Sequence, residues 1–272
     1  MDQGRMRPED YLDDNLPYAG GRKSRIAIGQ VIEKLDGYLA RNDQAAAGRH
    51  LAYWTEEARA IGDRRAEFTL VNERIGFCRK NRDRAGALEA AACAVGLVEE
   101  MGIDDSVSGA TAWINAATAY KAFGMAKEAL PLYEKAQKIY LRDLAADDAR
   151  LGGLWNNYAL ALCETENYAE AERLLHRAIG VMMQNRMLPE AAVSYLNLAD
   201  LYEARDGLED GAERIEKSLD EAERLLDDVS CPRDGNYAFI CEKSHPVFDY
   251  FGRFAFAAEL RERAEAIYGG EA

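Results

Sequence analysis

The chain has 272 residues, 48% of them apolar, and a formal net charge of −14 at pH 7. Gripping a phosphate backbone takes a clustered excess of Lys and Arg, so this balance excludes nucleic acid as the main partner. The six prolines are few, and the abundant Ala, Leu, Glu and Arg lose little side-chain freedom in a helix, which predicts a mostly helical chain.

Residues 1–24 carry Pro8, Pro17 and the pair Gly20–Gly21, and they keep no regular period. An extended tail is predicted there. Its apolar residues Tyr11, Leu12, Leu16 and Tyr18 are placed either to pack on the first hairpin or to enter the protein's own groove. The opening MDQGRMRPEDYLDD lacks the apolar core of a secretory signal, and nothing approaches the roughly eighteen continuous apolar residues of a membrane span. Five cysteines, at 78, 93, 163, 231 and 241, show no CxxC and an odd total, which predicts free thiols in a reducing compartment. The expectation is a cytoplasmic protein with no membrane partner.

From residue 25 onward the chain repeats itself every 40–42 residues. The first copy reads Val31, Leu35, Tyr38, then Ala47, Leu51, Trp54, and the second Val71, Ile75, Cys78, then Ala87, Ala91, Ala94. The third is Trp113, Ala116–Ala117, Tyr120, then Ala129, Tyr133, Ala136. The fourth is Trp155, Tyr158–Ala159, Leu162, then Ala171, Leu175, Ala178, and the fifth Tyr195, Leu198–Ala199, Tyr202, then Gly211, Ile215, Ser218. Steps of three and four put each half-copy on one face of a helix. Phe123–Gly124–Met125, Glu166–Asn167–Tyr168 and Arg205–Asp206–Gly207 separate the halves as turns. The pattern predicts five helical hairpins, at about 25–62, 63–103, 106–145, 147–187 and 189–228. The cluster Arg79, Lys80, Arg82 and Arg84 falls on an expected turn, where solvation explains it.

After residue 228, Tyr237 keeps the period, but His245–Pro246 is expected to interrupt its helix. Five of the eight phenylalanines lie between Phe239 and Phe256. A repeat array needs its last open face covered, so 229–272 reads as a capping helix pair or as an exposed partner patch. There is no glycine-rich phosphate loop, no HExxH and no GxSxG, and His50, His176 and His245 are far apart. No catalytic residue, metal or cofactor is expected, and the chain does not read as an enzyme.

The stretch TAWINAATAYKAFGMAKEALPLYEKAQ, residues 111–137, resembles the tetratricopeptide repeat family, whose pattern runs W-x2-L-G-x2-Y and then A-x3-F. The period exceeds the family's usual 34 residues and the closing proline is missing, as in the longer-helix versions of kinesin light chains and bacterial peptide-sensing regulators. HEAT-type pairs share the period, but the Trp, Tyr and Ala placement favours the tetratricopeptide pattern. The resemblance implies an all-α, right-handed α–α superhelix, a solenoid of about five hairpins plus the C-terminal capping pair.

It also implies a concave surface lined by the first helix of each hairpin. Asn115, Asn157 and Asn197 each stand two residues after the Trp or Tyr on that helix. Such carboxamides either offer donor and acceptor to the main chain of an extended peptide or bond to a neighbouring helix. Around them the repeat register places Asn72, Thr118, Lys121, Asn156, Leu160, Glu164, Asp200 and Glu203, with Arg79 and Lys80 towards the start. The third to fifth hairpins offer Lys121 as their one cation on this face, so a clamp for a terminal carboxylate is not expected. Asp200 and Glu203 suit a neutral or basic segment. The implied function is a non-catalytic protein- or peptide-binding scaffold; the second reading is a regulatory sensor of a peptide or small molecule that signals through a partner protein. Self-association is compatible with either.

Overall fold

The computed structural model describes residues 25–41 and 43–269. The tail with Tyr11, Leu12, Leu16 and Tyr18 lies outside the described residues. Among those described there are twelve helices and no strand: α1 Ile28–Ala40, α2 Gln44–Ile61, α3 Arg64–Lys80, α4 Arg84–Glu100, α5 Val107–Ala122, α6 Ala126–Asp143, α7 Ala149–Cys163, α8 Tyr168–Gln184, α9 Leu188–Asp210, α10 Ala212–Leu226, α11 Gly235–Tyr250 and α12 Phe254–Gly269. Consecutive helices pair as antiparallel hairpins. The fold is all-α and repetitive, and it divides into two compact units that meet in sequence between Leu144 and Ala145. The N-terminal unit holds α1–α6 and the C-terminal unit α7–α12.

Local chemistry starts and stops these helices. Asp43, Asp63, Asp83, Ser106, Asp148 and Asp234 each precede a helix and accept a backbone N–H of its first turn, satisfying donors that the helix itself leaves unpaired. Asp63 does more. Its Oδ1 caps α3 through Ala66 N at 3.1 Å, while its Oδ2 accepts Arg25 N at 2.6 Å and Ile26 N at 3.1 Å, fixing where the chain enters α1.

The turn inside each of the last five hairpins is closed by a residue with left-handed φ at equivalent places: Arg82 at 57°, Gly124 at 74°, Glu166 at 61°, Gly207 at 78° and Gly252 at 82°. Three of these are glycines, for which that conformation carries no Cβ penalty; two are not. At Gly207 the α9 run breaks with ψ at 171°, so the expected turn survives as a kink between two helical stretches. The expectation at His245–Pro246 is corrected: α11 runs through Pro246 to Tyr250. Proline there removes one hydrogen bond to the preceding turn, and the buried Phe248 beyond it, ring to ring with Phe256 at 4.9 Å, holds the last turn in place.

Burial follows the repeat. Trp113 is 1% exposed and Trp155 3%, and each lies under a cation contributed by the second helix of its own hairpin. Lys135 Nζ is 3.6 Å from the Trp113 ring centre and Arg177 Cζ 3.9 Å from that of Trp155. Burying an indole of this kind contributes roughly 4–6 kcal/mol by area. The buried hydroxyls of Tyr133 and Tyr140 pair with Thr118 Oγ1 at 3.0 Å and Thr111 Oγ1 at 2.6 Å, so α6 carries aromatic bulk into the core without leaving a polar group unpaired.

Equivalent turns with and without glycine generate a paired prediction. Glu166→Gly should raise the unfolding free energy by about 0.5–1 kcal/mol by removing a left-handed Cβ, whereas Gly124→Ala at the equivalent place should lower it by about 1–2 kcal/mol. Urea denaturation of the two variants beside the parent checks both signs.

Candidate functional site

The face carrying the asparagines is built separately in each unit. In the N-terminal unit, Asn115 Nδ2 on α5 donates to Asn72 Oδ1 on α3 at 3.0 Å, and Asn72 Nδ2 donates to Phe68 O of its own helix at 2.9 Å. In the C-terminal unit, Asn197 Nδ2 on α9 donates to Asn156 Oδ1 on α7 at 2.8 Å, and Ser194 Oγ donates to the same oxygen at 2.9 Å. The same rung is thus made twice. The residue directly after Val71 or Trp155 accepts from the residue two places after the aromatic of the next hairpin. In the third hairpin that accepting place is taken by Ile114, which has no side-chain acceptor.

The carboxamides expected as one open series therefore divide. Asn156 is 0% exposed and Asn197 4%, both spent on holding α7 to α9, so Asn156 is corrected from a groove residue to an enclosed one. Thr118 is enclosed as well: its hydroxyl lies 2.8 Å from Ile114 O and 3.0 Å from the Tyr133 hydroxyl. Asn157 differs. Its Nδ2 donates to Gly153 O at 3.0 Å, but its Oδ1 is buried without a hydrogen-bond partner, as is Nδ2 of Asn156 beside it. Asn115, Lys121, Leu160 and Glu203 are half-buried, while Glu164 and Asp200 are exposed.

One residue of this face escaped the repeat register. Tyr250, at the end of α11, donates its hydroxyl to Glu203 on α9 while the residue stays 62% exposed, its ring edge-on to Phe251. The only sequence signal for it is its position in the aromatic run of the last hairpin. The bond to Glu203 raises the Tyr250 hydroxyl above the usual phenol range. Desolvation, reinforced by Glu203 one turn away, pushes the Asp200 carboxyl up to about 6. Asp200 still reaches water, so the stability cost of this shift is smaller than its size alone implies. Away from this face, Cys241 is fully buried and desolvation pushes its thiol up to about 12, which denies it the thiolate form near neutral pH.

No protein-family model and no curated protein matches the sequence. Solved structures do match the fold. A protein of Podosopora anserina described as a kinesin light chain with nearly identical TPR-like repeats is 20% identical, with 74% of this chain and 94% of that chain covered at a TM-score of 0.50. A variant of the same protein gives 20% identity, 74% and 93% coverage, and a TM-score of 0.51. The fold is tetratricopeptide-like. BtubC (BKLC) from P. vanneervenii is also similar, at 16% identity, 90% and 92% coverage and a TM-score of 0.48. The two Podosopora anserina likenesses describe the tetratricopeptide-like architecture of the helix pairs; the chemistry of the face is this chain's own.

That chemistry sets two expected outcomes. Asn156→Ala strands the Asn197 amide and leaves the Ser194 hydroxyl only longer bonds to Glu190 O and Met182 Sδ, and should cost about 2–3 kcal/mol in chemical denaturation, whereas Asn197→Ala, which leaves Asn156 Oδ1 its bond from Ser194, should cost about 1 kcal/mol. For Asp200 the folded state favours the protonated carboxyl, so its penalty is absent below the ordinary value of 3.8, grows as pH rises, and is complete above about 6. Asp200→Asn should therefore match the parent at low pH and become the more stable protein as pH rises through that window. The difference between the two melting curves isolates this group, because carboxyls lowered by ion pairs, such as Asp148 and Glu172, change stability equally in both proteins.

Proposed function

We infer that the chain is a non-catalytic scaffold whose tetratricopeptide-like first-helix faces bind a protein segment in extended form. The observation that carries this reading is Asn157. A carboxamide oxygen buried without a partner costs about 1–3 kcal/mol, and a peptide N–H is the donor that such an acceptor awaits. Main-chain recognition of this kind asks little of the ligand's sequence. In this reading residues 25–228 form the binding array and 229–272 close it. Cys241, fully buried and with its thiol raised, supports a structural rather than a nucleophilic role for that residue.

None of the five cysteines is joined in a disulfide, which supports a reducing compartment and hence a cytoplasmic place of action. No helix among the described residues is long and apolar enough to cross a membrane.

The test uses a pool of random 12-residue peptides with blocked termini, passed over the immobilised full chain. The parent should retain a subset of peptides, and Asn157→Ala, checked for unchanged circular dichroism, should hold the same subset at least tenfold more weakly. Retention by the variant at parental strength would remove the first-helix face as the binding surface.

A further inference from the structure

The turns inside the hairpins carry opposite charge in the two units. In the N-terminal unit the α3–α4 turn exposes Lys80, Arg82 and Arg84, and the α5–α6 turn exposes Lys127. Arg84 Nη2 donates to Met125 Sδ at 3.7 Å, which holds the two turns together as one edge. In the C-terminal unit the α7–α8 turn exposes Glu166, and the stretch after the Gly207 kink exposes Glu209, Asp210 and Glu213. Arg205, just before that kink, binds Glu172 of α8 at 2.6 Å and ties this second edge together. We propose that the basic edge of the N-terminal unit binds the acidic edge of the C-terminal unit of a second copy of the chain.

Solvation explains one charged turn, but not this distribution. The chain as a whole carries −14, so a surface on which cations gather runs against its composition. Asp83, inside the basic turn, is spent on capping α4 through Gly86 N at 3.0 Å, which leaves Glu128 as the exposed counter-charge of that edge. Arg205 and Arg214, beside the acidic edge, are bound to Asp206. Among the described residues Arg82, Arg84 and Lys127 are in no ion pair, and neither are Glu166, Glu209, Asp210 and Glu213. Arg82 and Glu166 occupy the same place of the repeat, with φ of 57° and 61°, where Gly124, Gly207 and Gly252 take the left-handed backbone without a Cβ. A charged side chain is thus held at a backbone cost in both units, positive in one and negative in the other.

The chain supplies the complementary surface itself. Each turn recurs once per hairpin, so neighbouring turns of either unit stand one hairpin step apart. Cations at Arg82 and Lys127 therefore match, in spacing, the carboxylates at Glu166 and at Glu209 to Glu213. Two copies of net charge −14 repel one another unless opposite patches meet, which makes the association selective for this pairing and sensitive to salt. It draws on none of the side chains assigned to peptide binding.

The test is sedimentation velocity of the full chain in about 50 mM and about 500 mM NaCl, across roughly 1–100 μM protein. The parent should associate at the lower salt and do so at least tenfold more weakly at the higher. Charge reversal of the basic edge, R82E/R84E, and of the acidic edge, E166R/E209R, should each weaken association at low salt at least tenfold; arginine suits the first of these places, since Arg82 already occupies its equivalent. An equimolar mixture of the two variants should restore association as a mixed species, because each then offers the sign that the other lacks. Circular dichroism identifies a variant that fails to fold, and K80E/K127E with the salt dependence of the parent then still reads the basic edge. A parent that stays monomeric at low salt, association that salt or R82E/R84E leaves unchanged, or a mixture that stays apart overturns the pairing. If a monomeric parent binds hexaglutamate and R82E/R84E does not, the basic edge serves an acidic partner instead of a second copy.

Discussion

Each helix pair depends on two helices meeting at one small residue. The place held by Ala47, Ala87, Ala129, Ala171 and Gly211 recurs in the first five hairpins, and the four alanines are all 0% exposed. At Gly211 not even a methyl fits, since a Cβ would lie 2.7 Å from Gly207 O and 3.2 Å from Tyr202 O. A larger side chain here would push the partner helix away and open the layer that the Trp and Tyr rings fill, so the aromatic core is a consequence of this close approach. The cations over Trp113 and Trp155 depend on it in turn, because only a closely held second helix brings Lys135 and Arg177 over the indole faces.

Apolar contact joins helices within a pair, but the asparagine rungs fix how first helices meet between pairs. A buried carboxamide tolerates few registers, since a slip along the helix would leave donor and acceptor unpaired at a cost of a few kcal/mol. Asn72–Asn115 sets this in the N-terminal unit and Asn156–Asn197 in the C-terminal unit. Asn157, at the place equivalent to Asn115 and Asn197, makes no such rung: its Nδ2 bonds to Gly153 O of its own helix and its Oδ1 is buried without a partner.

The reach of each side chain limits what the sequence could convey. Residue size at fixed spacing shows directly which face of a helix is buried, so the pairs and the small-residue contacts were legible from Trp113, Ala117 and Ala129 alone. The different surroundings of Asn156 and Asn157 were not legible, because adjacent helix residues point about 100° apart and the partners of Asn156 come from a different hairpin. Pro246 was misread for a related reason: local propensity opposes helix there, and the packing of Phe248 on Phe256 outweighs it. Tyr250 lies outside the repeat register, so nothing in the period linked it to Glu203, 47 residues earlier.

The two units also differ in what their first helices present. The N-terminal unit carries Arg79, Lys80 and Lys121 at the ends of α3 and α5, and the C-terminal unit carries Glu164 just after α7 and Asp200 and Glu203 along α9. A surface that grips main chain cannot by itself choose among segments, since every peptide offers the same N–H and C=O groups. Selection must come from side chains at the margins of the carboxamide stripe, and charge is the cheapest means, because a mismatched sign excludes a segment without requiring a shaped pocket. On the proposed function, the sign of charge at each unit would bear on which segments it admits, and in the C-terminal unit Glu203 is further held by the Tyr250 hydroxyl, which fixes the place of that charge.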